Sequence, residues 1–292
     1  MNSATTTAGA AASGVRVWRF SGWARLTHLT LALSVFGLAL TGMPLKYHEA
    51  FWAWPLMRMW GGAANAGVLH RIFAIGLASS GIMHLGGAAV GSIRRRLPPL
   101  LGPDSLVPRL DDLKQIVGYV KYLRGKGPRP EFGKFTYWEK FDYLAVFWGL
   151  VIIGLSGVVM WIPEVTSRYF PGWIINAALI VHSDEALLAT GFLFSIHFFN
   201  THLRPEAFPF EEVIVIGRQS LEKVAHERPG WHSRIVSNSE RAAHVTSGPD
   251  DPAPTPIRLG GIAFLILGTV TLLLVMSAAI AEAVRYLIAL LT

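Results

Sequence analysis

Four stretches of the chain run for twenty or more positions without a charged residue: 26–45, 72–93, 143–163 and 259–280. A fifth, 173–203, is broken only by Asp184 and Glu185. A helix needs about 20 apolar residues to cross the hydrocarbon core, so each is long enough to span a membrane. None alternates with period two, which disfavours an outer-membrane barrel. The pattern predicts an all-α integral membrane helical bundle. Its four-helix domain covers 15–235, with helices near 22–45, 67–93, 141–163 and 173–203. A flexible linker at 236–257 then leads to an additional C-terminal transmembrane helix at 258–292. Residues 1–14 are small and polar and are expected to be disordered. They lack the basic n-region of a cleavable signal. Between the second and third runs lies a polar segment that opens on Arg94-Arg95-Arg96 and contains a short amphipathic stretch at 110–123, suited to a membrane surface.

Composition agrees with this reading. Of 292 residues, 52% are hydrophobic and 15% charged, against about 25% charged in ordinary soluble domains. The net charge of +7 would suggest nucleic acid in a soluble protein. Here it is a topology signal. With the N-terminus inside, 21 of the 26 Lys and Arg fall on the inner side, as the positive-inside rule requires. The expected partner is therefore membrane lipid and not nucleic acid. The chain has no cysteine, which excludes disulfides and thiolate-held metals.

Polar side chains inside a membrane are costly and mark function. Five histidines lie in or beside the apolar runs: His28, His70, His84, His182 and His197. His70 and His84 are fourteen residues apart on the second helix, nearly one face, with about 21 Å between them. His182 and His197 are fifteen apart on the fourth, offset by about 60° and 22 Å. Two helices thus each present a histidine near each membrane surface, the arrangement needed to hold two hemes one above the other. Bis-imidazole ligation leaves no open iron position and favours electron transfer over oxygen chemistry. The histidines His48, His226, His232 and His244 lie in polar segments and are expected to be solvated. His202, five residues beyond His197, is expected to point elsewhere. No internal sequence repeat is visible. There is no nucleotide-binding glycine fingerprint and no catalytic triad candidate.

Four ordered stretches carry a family resemblance. They are Arg25-Leu-Thr-His28 with Leu40-Thr-Gly42; Leu69-His70-Arg71; Gly133 to Lys140 with Gly154 to Trp161; and Tyr169-Phe-Pro171 leading to His182 and His197. Over about residues 16–235 the chain resembles the membrane cytochrome b subunit of respiratory formate dehydrogenase, within the group that includes hydrogenase and thiosulfate-reductase cytochromes b. The resemblance implies a four-helix diheme core with two hemes b. The outer heme would be held by His70 and His182, the inner by His28 and His197. Quinone would bind beside the inner heme near Thr136, Tyr137, Trp138, Glu139 and Lys140. Such a subunit is the quinone-reactive membrane anchor of an oxidoreductase complex in a bacterial inner membrane. Its N-terminus would be cytoplasmic and its C-terminus periplasmic. It would exchange electrons with an extrinsic redox subunit, either an iron–sulfur protein or a multiheme cytochrome c.

The departures from that family are specific. His84 is an extra histidine facing the same way as His70, and it is the alternative inner ligand. It could also hydrogen-bond a propionate or line a quinone site. Arg25 and Arg71, beside His28 and His70, are candidates to pair with heme propionates, or are snorkelling residues at the interface. Asp184 and Glu185 stand where the family is apolar. The fifth helix is additional. Residues 201–209 are similar to a segment of cytochromes b that pair with multiheme cytochromes c. The rival reading from another class is a heme-free transporter or scaffold, with histidines that bind metal or relay protons.

Overall fold

The computed structural model describes residues 15–94, 101–237, 245–247 and 253–291. The first fourteen residues and most of the expected linker lie outside these. Five helices are long and apolar enough to cross a membrane: α1 (Gly22–Lys46), α3 (Ala63–Ile93), α5 (Tyr137–Trp161), α7 (Trp173–Leu203) and α11 (Thr255–Leu291). Short helices α2 (Ala53–Met59) and α6 (Pro163–Tyr169) link the first two spans and the next two. The amphipathic stretch forms α4 (Leu110–Leu123).

Three spans begin earlier than the expected helices, α11 by three residues and α3 and α5 by four each. α3 starts at Ala63 because Ala, Asn and Gly before Val68 extend the helix past its apolar part. α5 starts at Tyr137, where the Glu139 carboxylate reaches back over the first turn to Thr136. The Thr136 backbone N–H donates to Glu139 Oε2 at 2.8 Å, and so does its hydroxyl. A Thr-x-x-Glu pattern is a helix-start signature.

The chain divides into two compact units. One comprises Leu26–Gly86, Val146–Glu211 and Pro256–Thr292, and so holds most of the spanning helices. Aromatic side chains fill one of its cores: Phe36 of α1 lies 4.7 Å, ring to ring, from Phe194 of α7, and Leu265 of α11 joins them. A second core gathers Met43, Tyr47, Trp52 and Ala53 with Val275 and Ala278 of α11. The additional helix is thus part of the bundle's packing. Outside these cores many large apolar side chains are exposed, among them Ile82 of α3 and Leu155 of α5, which suits a lipid surround.

The other unit comprises Met1–Arg25, Gly87–Ala145 and Glu212–Thr255. Strand β1 (Val15–Trp18) lies between β2 (Arg218–Ser220) and β3 (Val245–Ser247), antiparallel to both, with Arg16 opposite Ser220 and Thr246. Helices α8 (Val213–Ile216), α9 (Leu221–Glu227) and α10 (Pro229–Ser237) complete this region. Val17, Val224, Trp231 and Ile235 form its core.

Candidate functional site

Two of the predicted histidines face each other. The rings of His70 on α3 and His182 on α7 have their centres 6.1 Å apart, with 67° between planes. A metal–nitrogen bond is about 2 Å. Two such bonds, with about 1 Å from nitrogen to ring centre on each side, put the centres of two imidazoles bridged by one metal about 6 Å apart. Rotation about the nitrogen–metal axis leaves both bonds intact, so the angle between planes is no obstacle. The pair could hold one iron axially.

The neighbouring helices fix both rings in the same way. α1 carries Leu38-Ala-Leu-Thr41-Gly42 and α5 carries Ile153-Gly-Leu-Ser156-Gly157. The Thr41 hydroxyl donates to Gly37 O at 2.6 Å and lies 3.0 Å from His70 Nδ1. The Leu38 carbonyl also bonds His70. The Ser156 hydroxyl donates to Ile152 O at 2.7 Å and lies 3.3 Å from His182 Nδ1, which donates to Ile153 O at 2.9 Å. Because each hydroxyl spends its proton on its own helix, its oxygen is left to accept. Nδ1 of both histidines therefore carries the ring proton, and the Nε2 lone pair is left for a metal. Such outer partners orient a ligating imidazole and fix its tautomer. Gly42 and Gly157 supply the room. A Cβ at Gly42 would stand 2.9 Å from His70 Cε1, and one at Gly157 would stand 3.1 Å from His182 Cε1.

This is an internal repeat that the residue pattern alone did not reveal. Its signal is a five-residue match with an aliphatic residue first, a leucine third, a hydroxyl residue fourth and a glycine fifth. Each copy sits one helix ahead of a histidine.

The remaining candidates fall into three settings. His28 of α1 and His197 of α7 lie within electrostatic reach of each other, and His202 lies within reach of both. The expected direction of His202 is thereby corrected. Residues 193–197 and 199–203 of α7 are π-helical. In an α-helix residues five apart are turned by about 140°, whereas i→i+5 bonding stacks them. His84 is half-buried and meets Phe147 edge-on at 5.6 Å. Arg71 is exposed, with its guanidinium 5.8 Å from the Trp161 ring centre. Arg25 Nη1 donates to Ile216 O at 3.4 Å.

Residues 136–140 are locked by protein partners. Besides its bonds to Thr136, Glu139 is paired with Arg19 and with Arg228, whose two terminal nitrogens lie 3.0 and 3.1 Å from its oxygens. Lys140 pairs with Asp112 of α4 at 2.8 Å, both buried. Tyr137 and Trp138 pack with Tyr119 and Phe132. Asp184 pairs with Lys46 at 2.8 Å.

Among the described residues no three His, Asp or Glu side chains converge as a site for a bare metal ion. The neighbouring imidazoles of His70 and His182 suit a metal that brings further ligands of its own. A bundle of spanning helices with such a pair defines a membrane-embedded cytochrome. The model of the prokaryotic cytochrome b561 family matches residues 19–203, and the chain belongs to that family. It is a heme-binding, transmembrane electron-transfer cytochrome, which sets aside the heme-free transporter. A search of the curated proteins gives no match.

Proposed function

We propose that this protein is a diheme cytochrome b that carries electrons across a bacterial inner membrane. It links an extrinsic redox partner on the outer face, an iron–sulfur protein or a multiheme cytochrome c, with the quinone pool near the inner face. The facing pair His70 and His182, with both Nδ1 atoms already bonded, is the observation that carries this reading. Heme b, when bound, would supply a one-electron iron couple, with imidazoles of this chain as its protein ligands.

In this reading His70 and His182 hold the outer heme. His28 and His197 hold the inner one, with His84 as the alternative inner ligand. Arg25 and Arg71 are the cations available to propionates. The polar groups of Thr136, Glu139 and Lys140 are engaged by protein partners, so Tyr137 and Trp138 are the residues of that loop proposed to meet quinone through their rings. The concentration of Lys and Arg in the segments 1–25, 92–140 and 201–258 supports a cytoplasmic N-terminus and a periplasmic C-terminus.

Heme extraction and a potentiometric titration of the purified protein test the proposal. Two hemes b per chain are expected, with His182→Ala removing one and His197→Ala removing the other. One heme in the wild type, or two in both variants, would overturn it. Oxidation of the reduced protein by a quinone analogue in vesicles tests the quinone step, and no oxidation would remove it.

A further inference from the structure

His202 is not used by the reading above, yet its ring is held on several sides. Its Nδ1 accepts the Glu211 backbone N–H at 3.2 Å. The ring is stacked on Phe210, 5.0 Å between centres and 3° between planes, and meets Phe198 edge-on at 6.2 Å. Only 9% of the residue is exposed. Both aromatic neighbours are seated on α11 by glycines. A Cβ at Gly261 would stand 2.6 Å from Phe210 Cζ, and one at Gly268 would stand 2.5 Å from Phe198 Cε2. The fifth helix, which lies beyond the part of the chain that matches the family, thus backs the wall on which His202 is mounted.

The tautomer follows from these contacts. An Nδ1 that accepts a main-chain amide cannot carry the proton of a neutral ring, so the proton is on Nε2. The π-helical turns of α7 place this ring within electrostatic reach of His28 and His197, and such turns are frequent at functional sites.

We propose that His202 is a positioning residue at the His28/His197 end, where its Nε2–H donates to an acceptor oxygen of the group bound there. The acceptor is an oxygen in either case, a heme carboxylate or a quinone carbonyl. The inference rests on the diheme reading, because that reading puts an inner cofactor at His28 and His197.

Two substitutions separate the donor from the packing. His202→Phe keeps a ring against Phe210 and removes the N–H. His202→Gln keeps an amide donor on a side chain of similar reach. Both are compared with the wild type by potentiometric titration of each heme and by the affinity of a quinone analogue. If the acceptor is a heme carboxylate, His202→Phe moves the inner heme to lower potential, because an unrelieved carboxylate charge favours ferric iron. The outer heme keeps its potential, and His202→Gln restores the inner one. If the acceptor is a quinone carbonyl, both potentials stay and the analogue binds about tenfold more weakly in His202→Phe, the cost of about one hydrogen bond, again with recovery in His202→Gln. Unchanged potentials and affinity in His202→Phe would overturn the proposal. So would equal loss of both hemes in the two variants, which marks a purely structural histidine. Failure of the diheme reading is seen separately, in the heme count of the wild type and of His197→Ala.

Discussion

The two units keep polar groups inside by opposite means. In the unit that holds most of the spanning helices, several buried hydroxyls are satisfied on their own helix. The hydroxyls of Thr41, Ser156, Thr190 and Thr271 each donate to a carbonyl four residues back on their own helix. Two of its ion pairs, Lys46 with Asp184 and Arg285 with Glu49, are at exposed or half-exposed positions. The other unit buries full charges. Glu139 sits between Arg19 and Arg228, whose side chains are each 4% exposed, and Lys140 meets Asp112 at 6% and 8% exposure. A charge is far more expensive to strand in hydrocarbon than a hydroxyl. The spanning unit therefore spends its intramembrane polarity on imidazoles and on the short hydroxyls that orient them. The charge-bearing unit uses ion pairs to hold its segments together.

The sharpest way to break this contrast is at Glu139. Removing one partner of a buried charge network leaves uncompensated charge and costs about 3–5 kcal/mol. Glu139→Ala strands two guanidinium groups and removes the carboxylate over the first turn of α5, so that loss is expected in thermal unfolding followed by tryptophan fluorescence in detergent. The heme proposed for His70 and His182 should keep its spectrum. A variant as stable as the wild type would show that these charges are solvated, and the contrast would fall.

Glycine tests the spanning unit in turn. Gly42→Ala must displace a ring from which its new Cβ would be 2.9 Å, while Gly157→Ala starts from 3.1 Å. Overpacking of a filled core costs about 1–3 kcal/mol. Both variants should lose thermal stability and alter the axial-ligand signature in low-temperature electron paramagnetic resonance, Gly42→Ala the more. The reverse order, or no change in either, would mean that the rings are not seated against these helices.

What the residue pattern disclosed follows the same division. Four of the spans were legible because an uncharged run of twenty residues has few other uses, the fifth in spite of Asp184 and Glu185. The histidines were legible because that residue is rare there, while the pairing of His70 with His182 followed from the family resemblance. The Leu38–Gly42 and Ile153–Gly157 repeat was present in the letters but silent, since five residues acquire meaning only when each is seen to carry a histidine of the next helix. The three-stranded sheet was not legible at all. Val15–Trp18 pairs with residues some two hundred positions away, and three or four residues give no period-two signal. His202 was misdirected because α-helical periodicity was applied to turns that are π-helical. The Thr136-x-x-Glu139 pattern was readable as a helix start, but the two arginines that close on it come from residues 19 and 228.

A milder substitution asks how much the hydroxyls add to ring orientation. Thr41→Val and Ser156→Ala each remove one contact to an Nδ1, yet the carbonyls of Leu38 and Ile153 remain as acceptors. Each is expected to cost about 1 kcal/mol, a single net hydrogen bond, seen as faster heme loss to an acceptor protein. Heme loss as complete as in His70→Ala would show that the hydroxyl, not the carbonyl, is the partner that fixes the ring.

The smallest effect belongs to Lys46 and Asp184. Their nitrogen and oxygen are 2.8 Å apart, but the aspartate side chain is 64% exposed and the lysine 21%. Exposed pairs contribute about 0–1 kcal/mol and are screened by salt. Lys46 also donates to Ser183 Oγ at 3.2 Å and lies 5.9 Å from the Tyr47 ring centre, so Asp184→Asn leaves it both of these partners and keeps an oxygen at the same place. Asp184→Asn should therefore move the melting temperature little at low ionic strength and not at all in high salt. A loss comparable with Glu139→Ala, persisting in salt, would place a buried and essential ion pair inside the spanning unit. That result would remove the distinction between a unit that buries charge and one that excludes it.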